Sequence, residues 1–297
     1  MRESSCVAFL QWALPRLDLA WTGFRRVHRQ VCKRIGRRLQ ALRLADPLAY
    51  RGYLDAHPEE WAVLDSFCRI SVSRLVRDRL VFEELGRVVV PALAAAALRR
   101  GVRRVRCWSA GCASGEEPYS LSVLWKLELA SRFPTVSFAV LATDVDEQLL
   151  ERARAAQYGR SSLREVPAAW AEAAFERRGS LFTVRPAFRA GVEFLAQDIR
   201  REMPPGPFDL ILCRNVVFTY FDTPSQRRSL ERMLALLRPG GALVIGLREH
   251  LPEGAAGLEP WVGELGIYRR AGQPGAAAEP RAVTGQRTEI GDSLRWN

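Results

Sequence analysis

The chain has 297 residues, 48% of them hydrophobic, and its 44 lysines and arginines against 33 aspartates and glutamates give a formal net charge of +11. This length and hydrophobic content predict a folded protein with one large domain and a smaller one. No run of about 18 apolar residues occurs, so we expect no membrane-spanning helix. The three histidines lack metal-ligand spacing, which predicts neither a structural nor a catalytic metal.

The amino-terminal segment and the cysteines indicate the compartment. The apolar stretch from Cys6 to Leu14 is short, is interrupted by Gln11 and lacks a basic lead, so it predicts a helix packed on the protein body rather than a signal peptide. The six cysteines contain no CxxC pair and show no ordered spacing. This pattern predicts a protein of the reducing cytoplasm. We also expect the protein to be a monomer.

Residues 1 to about 92 predict an all-α domain. Prolines early in a segment, with acids in the first turn, mark helix starts after Asp46 and His57. The helices are expected at Trp12–Leu44, Asp46–Leu54, Glu59–Ser66 and Val81–Leu98.

A strongly basic helix is expected between Phe24 and Arg43, because an apolar stripe starting at Val27 recurs at helical spacing and basic residues fill the other faces. These faces are either simply solvated or a platform for an acidic protein partner. We expect no nucleic acid, because aromatic residues are not interleaved and no helix-turn-helix or zinc pattern appears. The basic residues are Arg25, Arg26, Arg29, Lys33, Arg34, Arg37, Arg38 and Arg43.

The most informative segment is CWSAGCASGEEPYS, from Cys107 to Ser120. A β-prone run enters small residues and then a helical segment, and such a turn lets a ligand approach the backbone. Two carboxylates, Glu116 and Glu117, stand at the helix start. They repel phosphate and suit a cation or a ribose hydroxyl, whereas a phosphate loop usually carries a lysine. S-adenosylmethionine (SAM), a sulfonium without phosphate, therefore fits better than a nucleotide.

Further apolar runs predict parallel strands with polar residues at their carboxyl ends. A lone acid in such a place is more often a helix cap or a solvated turn, but several ends in register favour a ligand site. Asp144 is placed to accept both ribose hydroxyls. Strands alternating with helices predict an α/β, Rossmann-like sheet with its ligand at the carboxyl ends. The runs are Val136–Asp144, Val192–Asp198, Phe208–Asn215 and Gly240–Gly246, with an edge strand at Gly266–Arg270.

Residues of about 160–191 interrupt this pattern and predict a small inserted β-subdomain. Within it we expect a helix at Ala168–Glu176 and a hairpin of Leu181–Arg185 with Phe188–Val192. The whole SAM-binding domain is expected at 93–270. Residues 271–297 are rich in glycine, proline, alanine and charges without periodicity, which predicts a disordered tail.

These motifs resemble the CheR-type family of chemoreceptor glutamate methyltransferases, over about residues 24–270. The blocks that carry the resemblance are Ser109–Ser120, Ala142–Asp146 and Phe208–Val216. The resemblance implies a divergent member that transfers a methyl group from SAM to a glutamate carboxylate of a chemoreceptor-like protein and releases S-adenosyl-L-homocysteine. It also implies a helical N-terminal domain and a β-subdomain inserted in the SAM-binding domain.

The resemblance also implies the site residues. The segment Ser71–Asp78 is similar to the family stretch that closes over SAM, and Arg77 and Tyr220 are the expected catalytic residues, although Tyr220 could equally be a core aromatic residue. The implied cofactor-binding residues are Ser71, Ser73, Arg77, Ala110, Gly111, Glu116, Asp144, Asp198, Ile199, Asn215 and Val216.

Three departures from the family pattern lie where the methyl acceptor meets the donor. Leu75 and Val76 replace two phenylalanines, Tyr220 comes one residue late, and Leu247-Arg248-Glu249 replaces His-Ser-Glu. Two alternatives therefore stay open. One is a CheR-like enzyme that methylates a different protein or a small-molecule carboxylate, and the other is a SAM-sensing interaction module without turnover.

Overall fold

The computed structural model describes residues 2–272, so nearly all of the predicted tail lies outside the described residues. The first part of the chain is helical, as predicted. A 3-10 turn at Leu14–Leu17 follows the first helix, and a π-helical turn at Leu85–Val89 joins the last two. Helices α1 to α7 span Glu3–Ala13, Trp21–Phe24, His28–Ala41, Pro47–Ala56, Glu60–Phe67, Arg79–Glu84 and Val90–Arg99.

The prediction of one continuous helix from Trp12 to Leu44 is wrong. The chain leaves the helix at Asp18, which has a left-handed φ of 58°, and the Ala20 amide then donates to the Tyr220 carbonyl at 2.8 Å. Helix α2 also packs closely on the residues just before Tyr220. A Cβ atom at Gly23 would lie 2.1 Å from the Thr219 carbonyl oxygen. Pairing with a distant segment therefore overrides the local helical pattern.

Helix α1 packs on the protein body as predicted, with Cys6, Phe9 and Leu10 buried. Cys6 forms a disulfide with Cys32 of α3, with the two Cα atoms 6.0 Å apart. The cysteine spacing does not predict this pair, since only the packing of α1 on α3 brings the two residues together. The free cysteines are Cys68, Cys107, Cys112 and Cys213, and all four are buried.

The second part of the chain builds a seven-stranded sheet in the order β6-β2-β1-β7-β8-β10-β9. Neighbours from β6 to β8 are parallel, and β10 is antiparallel to β8 and to β9. This confirms the predicted Rossmann-like sheet. Strands β1 to β10 span Arg104–Ala110, Ser137–Asp144, Gln157–Gly159, Phe175–Arg178, Leu181–Val184, Val192–Ala196, Phe208–Cys213, Leu237–Ile245, Leu258–Val262 and Ile267–Arg270.

The edge strand β9 is missing from the predicted elements because it contains Pro260, which argues against a central strand but is tolerated at an edge. In this part of the chain, helices lie between successive strands in the sequence. A π-helical turn at Trp125–Leu129 extends the first of them. Helices α8 to α13 span Glu116–Leu124, Glu147–Ala155, Ala168–Ala174, Pro186–Arg189, Val217–Tyr220 and Thr223–Leu236.

The insertion forms a separate three-stranded sheet in the order β3-β5-β4. The predicted hairpin of Leu181–Arg185 with Phe188–Val192 is wrong. Strand β5 pairs instead with β4, which precedes it, because Pro186 starts the helical turn α11 and Gly179 provides a turn with φ of 62° between β4 and β5. We call residues 157–189 the inserted unit.

Two hydrophobic cores lie on opposite faces of the sheet, since successive strand residues point to opposite sides. Helices α6 and α7 pack with Val105, Cys107 and Leu210 on one face. Helices α1 to α5 share the other core with Trp108 and Ile211. The helices thus enclose the sheet from both sides, and the domain division at residue 92 stays a prediction.

In the described part of the chain, no helix is both long and apolar enough to cross a membrane. Among the helices, the buried Glu60 joins α5 to α3 and α4. It accepts hydrogen bonds from Arg38 at 2.6 and 2.8 Å and from the Tyr50 hydroxyl at 2.6 Å. The hydrogen bonds from Arg38 lower the pKa of this carboxyl.

We expect Glu60→Gln to lower the free energy of unfolding by about 2 kcal/mol at pH 7, because a buried charge pair loses one partner. The contribution of a carboxylate with a lowered pKa is present above its ordinary pKa and is lost as the pH falls through the folded value. The difference in free energy of unfolding between Glu60→Gln and the wild type should therefore shrink in urea titrations at progressively lower pH. The exposed neighbour variant Glu59→Gln should show neither effect, and a pH-independent gap would contradict this account.

Candidate active site

A cleft opens at the carboxyl ends of β1, β2, β6 and β7, where the chain order of the sheet reverses between β1 and β7. Ligands of such sheets bind at this point because the loops on either side of it diverge. The cleft contains about 1180 Å³ of empty space, including open solvent. The segment Ser71–Asp78, here called the closing segment, covers one side of it.

Most of the predicted site residues meet in this cleft. Ala110 and Glu116 do not line it: Ala110 is the buried end of β1, and the Glu116 carboxylate accepts from the Ser114 hydroxyl at 3.0 Å. Glu117 lines the cleft instead. The predicted residues in the lining are Ser71, Ser73, Arg77, Gly111, Asp144, Asp198, Ile199, Asn215, Val216 and Tyr220.

The turn after β1 needs a residue without a side chain at Gly111. Its φ is 73°, and a Cβ atom there would lie 2.4 Å from Val216 Cγ2. The Gly111 and Cys112 amides both donate to the Thr143 carbonyl, at 2.8 and 3.0 Å. These two hydrogen bonds join the turn to the end of β2 and so bring Asp144 to the cleft.

Asp144 presents a carboxylate with unused hydrogen-bonding capacity. Oδ2 accepts from the Ala113 amide at 2.8 Å, and Oδ1 accepts from the Asp146 amide at 3.0 Å. Burial raises the pKa of this carboxyl, although the two amides counteract the shift. Since a carboxylate oxygen can accept two hydrogen bonds, each oxygen keeps a position for a ligand hydroxyl.

Asp198 is in a different state, because Arg200 holds its carboxylate. Arg200 also donates to both carboxylate oxygens of Asp65, at 2.6 and 3.0 Å. Burial by itself would raise the pKa of Asp198, but the bonds from Arg200 bring it below its ordinary value. Arg200 thus links α5 to the loop after β6. The sequence analysis missed this residue, although a cation two residues after Asp198 was a signal for it.

The closing segment is held in a strained backbone conformation. Val76 and Asp78 have φ values of 55° and 62°, which is costly for a β-branched residue such as valine. The Val76 amide donates to Ser120 Oγ at 2.8 Å, and the Asp78 amide donates to Glu165 of the inserted unit at 3.0 Å. Contacts on both sides therefore keep the segment over the cleft.

The strongest of these contacts comes from Arg214, which follows β7 and whose side chain is 2% exposed. Its guanidinium pairs with Asp78 at 2.6 Å and with Glu117 at 3.2 Å, and it donates to the Arg77 carbonyl at 2.9 Å. Glu117 in turn accepts from the Ser109 hydroxyl at 2.7 Å. One buried cation thus joins the closing segment to the helix that begins after the turn.

Arg77 and Tyr220 line the cleft beside the chain that follows β7, whereas Asp198 follows β6. Arg77 donates to Asn215 Oδ1 at 3.2 Å and to the Val72 carbonyl at 2.8 Å. Burial raises the pKa of the Tyr220 hydroxyl, and the charge of Arg77 counteracts the shift. Among the described residues, the arginine therefore donates its side-chain hydrogen bonds to neutral partners.

Buried Glu249 supports this side of the cleft. It accepts from the Asn215 amide at 2.9 Å, from the Gly246 amide at 2.6 Å and from the Thr219 hydroxyl at 2.5 Å. Asn215 has a left-handed φ of 59°, so Glu249 fixes the backbone of the residue that contacts Arg77. This carboxylate is the one residue kept in the Leu247-Arg248-Glu249 departure.

A family model for the SAM-binding domain of CheR methyltransferases matches residues 71–262, more than half of the chain. The chain belongs to the CheR family of SAM-dependent methyltransferases. The chemotaxis protein methyltransferase of Escherichia coli K12 is 31% identical over 261 residues, which cover 79% of this chain and 86% of that protein. That of Klebsiella aerogenes is 32% identical over 276 residues, covering 85% and 90%.

One relative is much longer than this chain. An uncharacterized 104.1 kDa protein of Rhodobacter capsulatus is 34% identical over 223 residues, which are 74% of this chain but only 23% of that protein. Among solved structures, the N-methyltransferase NodS of Bradyrhizobium japonicum is 19% identical with a TM-score of 0.32, covering 57% of this chain and 63% of NodS. The strand order described above therefore carries the fold assignment.

The basic helix of this CheR-family chain is only partly available to a partner. Arg34 donates to the carbonyls of Phe67 and Arg69, and Arg38 pairs with buried Glu60. Arg29 pairs with Glu3 at the surface. The exposed basic residues of this stretch are Arg25, Arg26, Arg29, Lys33, Arg37 and Arg43.

We expect Asp78→Asn to loosen the closing segment, because Arg214 loses one of its two carboxylates. Roughly 1–3 kcal/mol of stability should be lost, and hydrogen–deuterium exchange should speed up at the amides of Val76 and Asp78. The matched variant Asp55→Asn, at an exposed position in α4, should leave both unchanged. Unchanged exchange at those two amides would show that Arg214 does not hold the segment.

Proposed function

We propose that this chain methylates glutamate side chains of a chemoreceptor-like protein, as a SAM-dependent protein-glutamate O-methyltransferase. The observation that carries the proposal is the division of the cleft. The carboxylate of Asp144, at the end of β2, keeps lone pairs for a ligand. Arg77 contacts Asn215 after β7, and its side-chain hydrogen bonds to described residues go to neutral groups. Family membership supports the methyl donor, and the arginine supports an anionic acceptor.

The cleft suits SAM because its parts match the chemistry of that molecule. Asp144 can accept ribose hydroxyls with its remaining lone pairs. The turn at Gly111 lets the ligand approach the backbone, and the small side chains of Ser71 and Ser73 leave room beneath the closing segment. Glu116 acts indirectly, by holding Ser114 in the turn after β1, and Ala110 positions Gly111.

The remaining predicted contacts come from neighbouring loops. Ile199 and Val216 provide apolar walls of the cleft. Asn215 lines the cleft beside the guanidinium of Arg77, from which it accepts a hydrogen bond. Asp198 contributes through its position beside Ile199, because Arg200 already binds its carboxylate.

The acceptor needs no general base. A glutamate carboxylate titrates near pH 4.3 and is ionised at neutral pH, and SAM supplies an electrophilic methyl group on a sulfonium. Since a cation and an anion disappear together, a site that excludes water favours the reaction. The residues then have two tasks, which are to orient the acceptor and to keep water out.

Arg77 is placed to hold one oxygen of the acceptor carboxylate by a charge-assisted hydrogen bond. The other oxygen would then point toward the donor. Tyr220 lines the same side of the cleft and contacts Phe24 of α2 with ring centroids 5.1 Å apart. We propose that its hydroxyl fixes the acceptor while its ring closes the cleft against the N-terminal helices.

The substrate would be an acidic region of a protein. The relatives named as chemotaxis protein methyltransferases support a chemoreceptor, and the exposed arginines of the basic helix support an acidic surface on it.

The departures at Leu75 and Val76 give little support to a different acceptor. Both side chains are 1% exposed and belong to the core on the α7 face, and neither lines the cleft. The third departure keeps Glu249, which supports Asn215. The surfaces that would meet the acceptor are therefore less altered than the sequence differences indicate.

The proposal is tested by incubating the protein with methyl-labelled SAM and the cytoplasmic fragment of a chemoreceptor. We expect label in the receptor that is released as methanol by mild base. A receptor fragment with its candidate glutamates changed to alanine is the control. Base-stable label would exclude ester chemistry, and SAM binding without any labelled product would favour the sensing module.

Asp144→Ala should weaken SAM binding by roughly 2–4 kcal/mol, because the ribose hydroxyls lose a charged acceptor. Isothermal titration calorimetry with SAM measures the change directly. The exposed variant Asp55→Ala should bind as the wild type does. An unchanged affinity of Asp144→Ala would remove Asp144 from the site.

Arg77→Ala should reduce kcat by about 100-fold or more while changing SAM affinity little, since its role is to hold the acceptor. Arg77→Lys keeps the charge and should restore part of the rate. Arg87→Ala, which removes an arginine that is 72% exposed, is the control. Equal losses in SAM binding and turnover would place Arg77 on the donor instead.

A further inference from the structure

Arg77 lies between two residues whose backbone amides are held by side chains from other parts of the chain. Val76 and Asp78 precede and follow it, and both have left-handed φ values. The Val76 amide donates to the Ser120 hydroxyl at 2.8 Å, and the Asp78 amide donates to Glu165 Oε2 at 3.0 Å. A left-handed backbone is costly for residues other than glycine. The two oxygens that receive these amides therefore help to hold the backbone on either side of Arg77.

The carboxylate of Glu165 bridges the closing segment across Arg77. Its Oε2 accepts from the Asp78 amide, and its Oε1 pairs with Arg74 Nη1 at 3.3 Å. The two bonded residues thus precede and follow Arg77 in the chain. The side chain of Glu165 is 29% exposed, so water competes for the ion pair with Arg74. The bond to the Asp78 amide is the one that fixes the backbone next to Arg77.

Glu165 belongs to the inserted unit, and its own position is fixed by packing. Its neighbours Leu163 and Val166 pack against the core on the α7 face of the sheet. In the same stretch, the Ser162 carbonyl accepts from the Leu75 amide at 3.0 Å. The inserted unit therefore contacts the closing segment through a backbone oxygen as well as through a carboxylate.

The inserted unit also contacts the turn after β1, part of which lines the cleft. The hydroxyl of buried Tyr158 donates to the Ser114 carbonyl at 2.7 Å. A Cβ atom at Gly115 would lie 3.2 Å from the same hydroxyl oxygen. The unit is thus anchored to one part of the site while it holds another, so Glu165 has a defined place relative to the cleft.

We propose that Glu165 is a positioning residue for Arg77: it holds the Asp78 backbone so that the guanidinium stays where the carboxylate of the methyl acceptor arrives. The hydrogen bonds from Arg77 to Asn215 and Val72 go to neutral groups, so its position depends strongly on the backbone that carries it. Glu165 is not part of the cleft lining and acts from outside. The inference rests on the proposed function and gives the inserted unit a task in catalysis.

The test measures methylation of the cytoplasmic fragment of a chemoreceptor with labelled SAM. Glu165→Ala should lower kcat roughly 10-fold, while its affinity for S-adenosyl-L-homocysteine in calorimetry should change by less than about 2-fold. The retained affinity would also show that the variant is folded. Glu165→Gln keeps an oxygen that can accept from the Asp78 amide and should retain most of the rate. The matched control is Glu176→Ala, which removes another carboxylate–arginine pair of the inserted unit and should behave as the wild type does.

A double-mutant cycle with Arg77→Ala separates positioning from a general structural role. If Glu165 acts through Arg77, adding Glu165→Ala to Arg77→Ala should lower kcat by less than about 2-fold more. A further loss as large as in the wild-type background would overturn the proposal, and so would a wild-type rate in Glu165→Ala. Equal losses in Glu165→Ala and Glu165→Gln would contradict a role through the Asp78 amide.

Hydrogen–deuterium exchange tests the contact without any methyl acceptor. Glu165→Ala should speed up exchange at the Asp78 amide more than at the Val76 amide, which Ser120 holds. Unchanged exchange at Asp78 would show that Glu165 does not hold the segment. If the wild type leaves the receptor fragment unlabelled, the proposed function fails, and that result is distinct from a failure of the exchange measurement.

Discussion

The site depends on one buried cation. Arg214 leaves the end of β7 and binds Asp78 of the closing segment, Glu117 of α8 and the backbone of Arg77 at once. Burying a charge is unfavourable unless its partners are fixed around it, so the guanidinium holds three chain segments in one arrangement. The strained backbone of Val76 and Asp78 persists because these contacts overdetermine it. Without them, the segment that carries Arg77 would lose its buried ion pair and would depend on bonds such as those from its amides to Ser120 and Glu165.

The carboxylates of the cleft divide into occupied and available ones. Glu117 and Asp198 are bound by Arg214 and Arg200, and they connect parts of the protein to each other. Within the described part of the chain, the hydrogen bonds to the Asp144 carboxylate come from backbone amides, so it keeps room for hydroxyl groups. The same residue type therefore stabilises the cleft in two places and offers a contact to a ligand in the third. Sequence position alone does not distinguish these roles, because all three acids follow strands.

The sequence predicted much of the α/β part and less of the helical part. Continuous apolar runs predict buried strands, and polar residues at the carboxyl ends of these runs indicate the edge of the sheet where a ligand binds. The long helix from Trp12 was mispredicted because helical periodicity continues through Asp18, where pairing with Tyr220 breaks it. The inserted hairpin was mispredicted because the true partner of β5, Phe175–Arg178, overlaps the predicted helix Ala168–Glu176, and because Pro186 starts a helical turn. The ends of these elements depend on contacts with residues distant in sequence, and a local sequence pattern does not reveal such contacts.

The sequence by itself determined the fold class, the family, and most of the residues that line the cleft. These follow from periodicity and from the spacing of motifs, which are local properties of a chain. Only the tertiary structure decided that Glu117 rather than Glu116 faces the cleft and that Arg200 binds Asp198. The physical reason is that the state of a polar group depends on which donors surround it. Glu117 receives its donor from Arg214, which follows β7 and lies far away in sequence, and Arg200 binds Asp65 of α5 as well as Asp198.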